Sequence, residues 1–122
     1  IGDSNTWGYV PGEDGVRTEK RWTNLLAEFR SNDTIIEEGL CGRTVTARDT
    51  ILPVRCGIDT LPVLMLSHVP VDLVIIMLGT NDLKKQFNPS AKHISSGIEE
   101  YIKYIKIFNI SIQNVLYKIY YK

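Results

Sequence analysis

Val71-Asp72-Leu73-Val74-Ile75-Ile76-Met77-Leu78 is apolar at every position except Asp72. A nearly continuous apolar run of this length predicts a strand in the centre of a parallel sheet, with both of its faces covered. Val74, Ile75, Ile76 and Met77 are therefore all expected to be nearly fully buried. The polar stretch Gly79-Thr80-Asn81-Asp82 follows at once. Because ligands bind beside the carboxyl ends of strands in open α/β sheets, Asn81 is expected at a binding edge.

Three helices are predicted around this strand from apolar residues that recur at helical spacing. The first covers about residues 21–30, with Trp22, Leu25, Leu26 and Phe29 on one buried face. The second covers residues 60–67, where Pro62 is tolerated because it would lie in the first turn. The third presents an apolar face over residues 94–105, and Ser96 with Glu99 fits a capping box at its start.

Two weaker strands are predicted, at Thr34–Ile36 and Val115–Tyr121, and a first strand is expected to be missing before Gly2. Strands that alternate with helices indicate a parallel sheet with helices on both faces. We interpret the 122 residues as a single domain, 1–122, because the length fits one. The chain has no initiator Met and its end lacks turn signals, so we expect a fragment.

Ile1-Gly2-Asp3-Ser4-Asn5-Thr6-Trp7-Gly8-Tyr9 places a serine among turn-forming residues. Gly2 can adopt backbone conformations that other residues avoid, and Asp3 and Asn5 hydrogen-bond their own backbone. A serine in such a turn can direct its hydroxyl into a cleft. The same pattern is also typical of an ordinary surface turn or helix cap.

Three blocks in order resemble the SGNH (GDSL) hydrolase superfamily, in the arylesterase-like branch of small esterases. Gly2-Asp3-Ser4 is similar to the nucleophile block, Gly42 within Gly39 to Thr44 to the glycine block, and Gly79 to Asp82 to the Gly-x-Asn-Asp block. The resemblance covers residues 1–108, and residues 109–122 match the family poorly.

The resemblance implies a three-layer α/β/α sandwich with a parallel, flavodoxin-like sheet. It implies a serine esterase that cleaves short-chain or aryl carboxylic esters through an acyl-serine intermediate, without cofactor or metal. Ser4 would be the nucleophile, and the oxyanion hole would consist of the Ser4 and Gly42 backbone N–H groups and the Asn81 side-chain amide. Trp7, Tyr9 and Cys41 are candidate pocket residues beside them.

The family's Asp-x-x-His block, which supplies the catalytic base, has no match. The two histidines are His68 and His93, and the positions three before them hold Met65 and Ser90. His68 is expected at the sheet edge opposite the site. His93 follows the Asn81 block, and nothing in its spacing makes it the base.

Fourteen basic and fourteen acidic residues cancel, so no net charge favours nucleic acid or an acidic membrane surface. No apolar run is long enough to span a membrane, and no signal peptide is visible, which favours a cytoplasmic protein.

The cysteines, Cys41 and Cys56, fit no metal-binding spacing and are expected to be reduced. The expected partner is a small-molecule ester, and an unpaired strand edge would favour a homo-oligomer. Arg43 and Arg48 could bind an acidic substrate.

Two other functions fit the sequence. One is a non-catalytic domain that keeps the cleft and binds an acyl or carbohydrate ligand. The other is a flavodoxin-like module for a phosphate or nucleotide, which is the weakest because no glycine-rich phosphate loop follows a strand.

Overall fold

The computed structural model describes residues 1–108 together with the strand at residues 114–118. In chain order the elements are α1 (Ser4–Trp7), α2 (Trp22–Phe29), a 3₁₀ turn (Pro53–Arg55), α3 (Gly57–His68), β1 (Leu73–Met77), α4 (Ala91–Phe108) and β2 (Asn114–Lys118).

The sheet is parallel, as predicted. β1 pairs with β2 in parallel, with Ile75 opposite Leu116. On the other side of β1, Gly2 forms parallel bridges both to Met77 and to Gly39. The order across the sheet is therefore the segment at Gly39, the segment at Gly2, β1 and β2.

The predicted strand at Thr34–Ile36 is wrong in position, because the pairing of this segment is centred on Gly39. The Gly2 N–H donates to the Glu38 carbonyl at 3.0 Å, and the Leu40 N–H donates to the Gly2 carbonyl at 3.1 Å. Residues 34–36 are outside this ladder. The predicted strand at Val115–Tyr121 is confirmed as β2 over Asn114–Lys118, and Tyr121 lies outside the described residues.

One face of β1 contributes to the hydrophobic core. Val74 and Ile76 are buried against α3 and α4, whose core residues are Leu61, Met65, Ile94, Ile98, Tyr101 and Ile105. Ile75 and Met77, on the other face, are only half-buried. The expectation that all four residues would be nearly fully buried is therefore wrong for the second face. The apolar run predicts the strand, but helices α3 and α4 cover only the side to which Val74 and Ile76 point.

α2 has nearly the predicted range, but its predicted apolar face is not buried. Phe29 is 85% exposed and Leu25 is 52% exposed. Trp22 is half-buried, and its indole N–H donates to Thr6 Oγ1 at 3.1 Å. Helical spacing thus predicts that the residues share a face, while burial depends on which other elements lie against that face.

α3 and α4 both begin earlier than predicted. α3 starts at Gly57, so Pro62 lies inside the helix rather than in its first turn. α4 starts at Ala91 rather than Ser96. Ser90 is its cap, since the Ser90 Oγ accepts a hydrogen bond from the His93 N–H at 3.1 Å.

Candidate active site

Ser4 is the first residue of the short helix α1, directly after the sheet position at Gly2. Asp3 caps this helix: its Oδ1 accepts from the Asn5 backbone N–H at 2.9 Å and from the Asn5 side-chain amide at 3.1 Å. Asp3 is buried and Ser4 is partly exposed. The cap therefore fixes the turn that presents the Ser4 hydroxyl at the carboxyl edge of the sheet.

Gly2 is required here for space rather than for an unusual backbone angle. A Cβ at this position would overlap with Thr6 Oγ1, and would lie 3.2 Å from the Met77 carbonyl oxygen. The absence of a side chain therefore lets α1 fold back over the sheet edge. The sequence interpretation of Gly2 as a residue of unusual conformation does not hold, because Gly2 is not among the glycines with positive φ.

The three predicted blocks meet at this edge. Gly42 follows the segment at Gly39, and Asn81 follows β1, so both continue from segments that pair with Gly2. The Asn81 side-chain amide donates to the Arg43 carbonyl at 3.1 Å. A single buried hydrogen bond thus joins the second block to the third, although 38 residues separate them.

Arg43 is a buried residue whose side chain links two backbone segments at this edge. Its guanidinium donates to the Glu38 carbonyl at 2.5 Å and to the Gly2 carbonyl at 3.3 Å, and only 5% of the residue is exposed. Burial lowers the pKa of Arg43 from its ordinary value, with smaller opposing contributions from Tyr101 and Glu38. Arg43 is therefore unavailable to an acidic substrate, contrary to one sequence hypothesis.

Two backbone donors at the edge are unused. Neither the Ser4 N–H nor the Gly42 N–H donates a hydrogen bond to any described residue. The Asn81 amide has two N–H groups, and its one described bond, to Arg43, uses one of them. An oxygen atom with a developing negative charge could accept hydrogen bonds from such groups.

Asp82 holds the loop that follows Gly42. Its two carboxylate oxygens accept from three successive backbone N–H groups, those of Val45 at 2.8 Å, Thr46 at 3.3 Å and Ala47 at 3.4 Å. Asp82 is only 1% exposed. Burial raises the pKa of Asp82 above its ordinary value, and the backbone hydrogen bonds act in the opposite direction. Asp82 therefore has a structural role, because it fixes the backbone of residues 45–47.

The candidate pocket residues lie beside α1, but Arg17 covers part of them. Its guanidinium lies 5.3 Å from the centre of the Trp7 ring, and its Nε donates to the Trp7 carbonyl at 2.6 Å. Tyr9 is 43% exposed and pairs with Arg17 through the backbone. Cys41 is half-buried. The loop between Tyr9 and Arg17 therefore reaches back over the helix that carries Ser4.

Neither histidine forms a catalytic pair with Ser4. The Ser4 hydroxyl has no hydrogen-bond partner among the described residues. His68 Nε2 lies 2.7 Å from Glu38 Oε1, in a partly buried ion-pair geometry. His93 is exposed in the first turn of α4 and lines a cavity of about 630 Å³ with residues such as Thr46 and Phe87.

A second cavity, of about 510 Å³, lies along the loop that follows the glycine block. It is lined by Arg48, Asp49, Thr50, Ile51, Arg55, Lys84, Gln86 and Phe87. Of these, Arg55 also contacts Gly42: a Cβ built on Gly42 would lie 2.7 Å from Arg55 Nε. Sequence reasoning missed Arg55, since no motif or periodicity distinguishes it from other loop arginines.

Both cysteines are free thiols, and burial raises the pKa of each. Among residues 1–108 and 114–118, no group of three or more His, Cys, Asp or Glu side chains is arranged to hold a metal ion. Within the same part of the chain, no helix is long and apolar enough to cross a membrane.

Comparison with known proteins shows where this arrangement recurs. Residues 1–115 match the model of the GDSL-like lipase/acylhydrolase family. The chain belongs to this family. The resemblance drawn from the three blocks and the predicted α/β fold, with its parallel sheet between helices, are thereby confirmed.

Two solved structures of the family superpose closely on the chain. The aryl esterase of M. smegmatis is 37% identical, with a TM-score of 0.86, and the match covers 96% of this chain and 60% of that protein. A carbohydrate acetylesterase from Sinorhizobium meliloti is 35% identical, with a TM-score of 0.82 and coverage of 98% and 59%. The chain thus spans about 60% of the length of these structures. Comparison with curated proteins gives no match.

Proposed function

We propose that the protein carrying this chain hydrolyses short-chain or aryl carboxylic esters through an acyl-serine intermediate on Ser4. The observation that carries the proposal is the set of unused donors at the sheet edge. The N–H groups of Ser4 and Gly42 are unengaged among the described residues, and the Asn81 amide retains a second N–H. The similarity to an aryl esterase and a carbohydrate acetylesterase supports the same reaction class.

In the first half of the reaction, Ser4 Oγ attacks the ester carbonyl carbon and a base accepts the hydroxyl proton. The carbonyl oxygen becomes an oxyanion, which the Ser4 and Gly42 N–H groups and the Asn81 amide stabilise. The bond to the alkoxy oxygen then breaks, and the proton passes from the base to the leaving alcohol. In the second half, water attacks the acyl-serine by the same route and releases the acid.

We further propose that neither His68 nor His93 is the base. His68 contacts Glu38, and His93 is exposed in the first turn of α4. Oxyanion donors and binding alone leave only ~10³–10⁴-fold catalysis over water when a triad member is missing. The 122-residue chain by itself should therefore hydrolyse esters poorly.

Four proteins test this reaction with p-nitrophenyl acetate as substrate. They are the chain, its Ser4→Ala and His93→Ala variants, and the chain extended by an Asp-x-x-His segment. We expect only the extended protein to be fast. Introducing Ser4→Ala into it should abolish the activity, since loss of the nucleophile costs about 10⁶-fold in subtilisin. Rapid hydrolysis by the chain that His93→Ala removes would instead identify His93 as the base.

A ligand-binding domain without catalysis is the second candidate. The specific observation in its favour is that the Ser4 hydroxyl contacts no base among the described residues. In that case the extended protein would be inert toward esters but would bind an acyl or carbohydrate ligand, and Ser4→Ala would leave the binding constant nearly unchanged.

A further inference from the structure

The backbone of Arg55 is fixed to the loop that carries the glycine block. Its carbonyl accepts from the Thr44 N–H at 2.9 Å and from the Thr44 hydroxyl at 3.2 Å. Arg55 ends the 3₁₀ turn, and the next residue, Cys56, pairs with Thr44 in a parallel bridge. The location of Arg55 is therefore set by the same segment that would supply an oxyanion donor.

The Arg55 side chain lies directly on Gly42. A Cβ at Gly42 would be 2.7 Å from Arg55 Nε, 2.9 Å from Cζ and 3.0 Å from Cδ. Gly42 also has a φ of 82°, which favours glycine independently of this contact. The guanidinium thus occupies the space that a larger residue would fill beside the unused Gly42 N–H.

Most of the hydrogen-bonding capacity of Arg55 is unused. A guanidinium has five N–H donors, and the one described side-chain bond of Arg55 is from Nη1 to Asp49 Oδ2, at a long 3.4 Å. Asp49 itself is held by the loop, because its Oδ1 accepts from the backbone N–H groups of Ile51 and Leu52. The Arg55 side chain is 31% exposed, so its free donors are accessible.

Arg48 and Arg17 differ from Arg55 in this respect. Arg48 lines the same 510 Å³ cavity, but two bonds of 3.0 and 2.7 Å commit it to Asp59. Arg17 donates to Glu37 and to the Trp7 carbonyl. Lys84 is a further cation on the cavity wall, and Asp49 is the carboxylate on that wall. The cavity lining therefore has more positive than negative side chains, and Arg55 is a lining residue that also contacts Gly42.

We propose that Arg55 is a specificity-determining residue that binds a carboxylate on the ester substrate. This inference rests on the proposed esterase function. A substrate whose carbonyl oxygen meets the Gly42 N–H would place an attached carboxylate within reach of the Arg55 donors. Arginine suits this task because its planar fork can bind both oxygens of a carboxylate. The carboxylate can lie on the acyl or on the alcohol side of the ester.

Two matched pairs of substrates distinguish a carboxylate on the acyl side from a carboxylate on the alcohol side. In the first pair, mono-4-nitrophenyl succinate carries a carboxylate on the acyl side and 4-nitrophenyl butyrate is its neutral counterpart. In the second pair, 4-acetoxybenzoate carries the carboxylate on the alcohol side and its methyl ester is the neutral counterpart. The measurement is kcat/KM for each ester in the full-length protein that carries these residues. Each pair gives a charged-to-neutral ratio, which cancels any general damage to the oxyanion site.

We expect Arg55→Gln to lower the ratio ~10–100-fold in at least one pair, the range that a charge-assisted hydrogen bond provides. Arg55→Lys should restore part of the ratio, because it keeps the charge but not the fork. Arg30→Gln is the matched control and should leave both ratios unchanged, because Arg30 lies in an exposed surface pair with Asp33 and does not line the cavity. If Arg55→Gln folds poorly, Asp49→Asn provides the second test, since removing the neighbouring negative charge should raise the same ratio.

This inference would be overturned if neither Arg55→Gln nor Asp49→Asn changed the charged-to-neutral ratio in either pair. The proposed function would remain intact if Ser4→Ala still abolished hydrolysis. Hydrolysis that is insensitive to Ser4→Ala would overturn both.

Discussion

At the carboxyl edge of the sheet, polar side chains are buried, while on the outer surface of α2 apolar side chains are exposed. Asp82, Arg43 and Asn81 are at most 9% exposed, whereas Phe29 is 85% exposed. Every one of the three polar residues bonds to the backbone of another segment. The difference shows that burial follows the partners that the fold supplies: a polar group can be buried if hydrogen bonds replace water, and an apolar group stays exposed if no element covers it.

Asn81→Ala, at the polar edge of the sheet, should have the largest effect of the substitutions considered, and the effect is on turnover. If the amide stabilises an oxyanion, its removal should lower turnover by ~10²–10³-fold. The loss should be in kcat more than in KM, because the interaction forms mainly in the transition state. Steady-state kinetics of the full-length protein on p-nitrophenyl acetate measure both constants. Thr80→Ala, at the exposed neighbouring residue, is the control and should be nearly silent.

Ile76→Ala and Ile75→Ala compare the two faces of β1. Ile76 is fully buried between the sheet and the helices, and truncating it should cost about 2–5 kcal/mol of unfolding free energy. Ile75 is half-buried, so the same change should cost under about 2 kcal/mol. Urea unfolding gives both values, and the milder Ile76→Val can be used if Ile76→Ala does not fold. Equal costs would mean that the second face is covered as completely as the first.

Asp82→Asn tests whether the buried hydrogen bonds hold the edge together. Both carboxylate oxygens accept backbone N–H groups, so an amide NH₂ in place of one oxygen would face a donor. We expect a loss of ~1–3 kcal/mol, the usual cost of an unsatisfied buried group. Asp33→Asn is the control, because Asp33 is exposed in a surface pair with Arg30. A change of less than ~0.5 kcal/mol in unfolding free energy on Asp82→Asn would show that these hydrogen bonds contribute little to stability.

Phe29→Ser should have the smallest effect. The side chain is 85% exposed, so its replacement by a polar residue should change the unfolding free energy by no more than ~0.5 kcal/mol. Thermal unfolding of the isolated chain is sufficient to measure this. A marked destabilisation would indicate that another surface covers α2 in solution, and would remove the contrast with the polar edge.

Sequence reasoning succeeded where the signal is local. The period of apolar residues predicted α2 and α4, the apolar run predicted β1, and the three short blocks predicted the family. The start of α4 was missed because Ser90 and Ser96 both precede suitable helical sequence. The register of the Gly39 segment was missed because it depends on a hydrogen-bonding partner 37 residues away in the chain.

By itself the sequence determined that helices alternate with strands in a parallel sheet, and that Asn81 follows the central strand β1. These properties follow from near neighbours in the chain, whose spacing is visible in the sequence. Only the tertiary structure decided which face of β1 is buried, that Asp82 binds the loop at Val45, and that Arg55 lies on Gly42. Those contacts join residues that are far apart in sequence, and packing and hydrogen bonding between whole elements determine them.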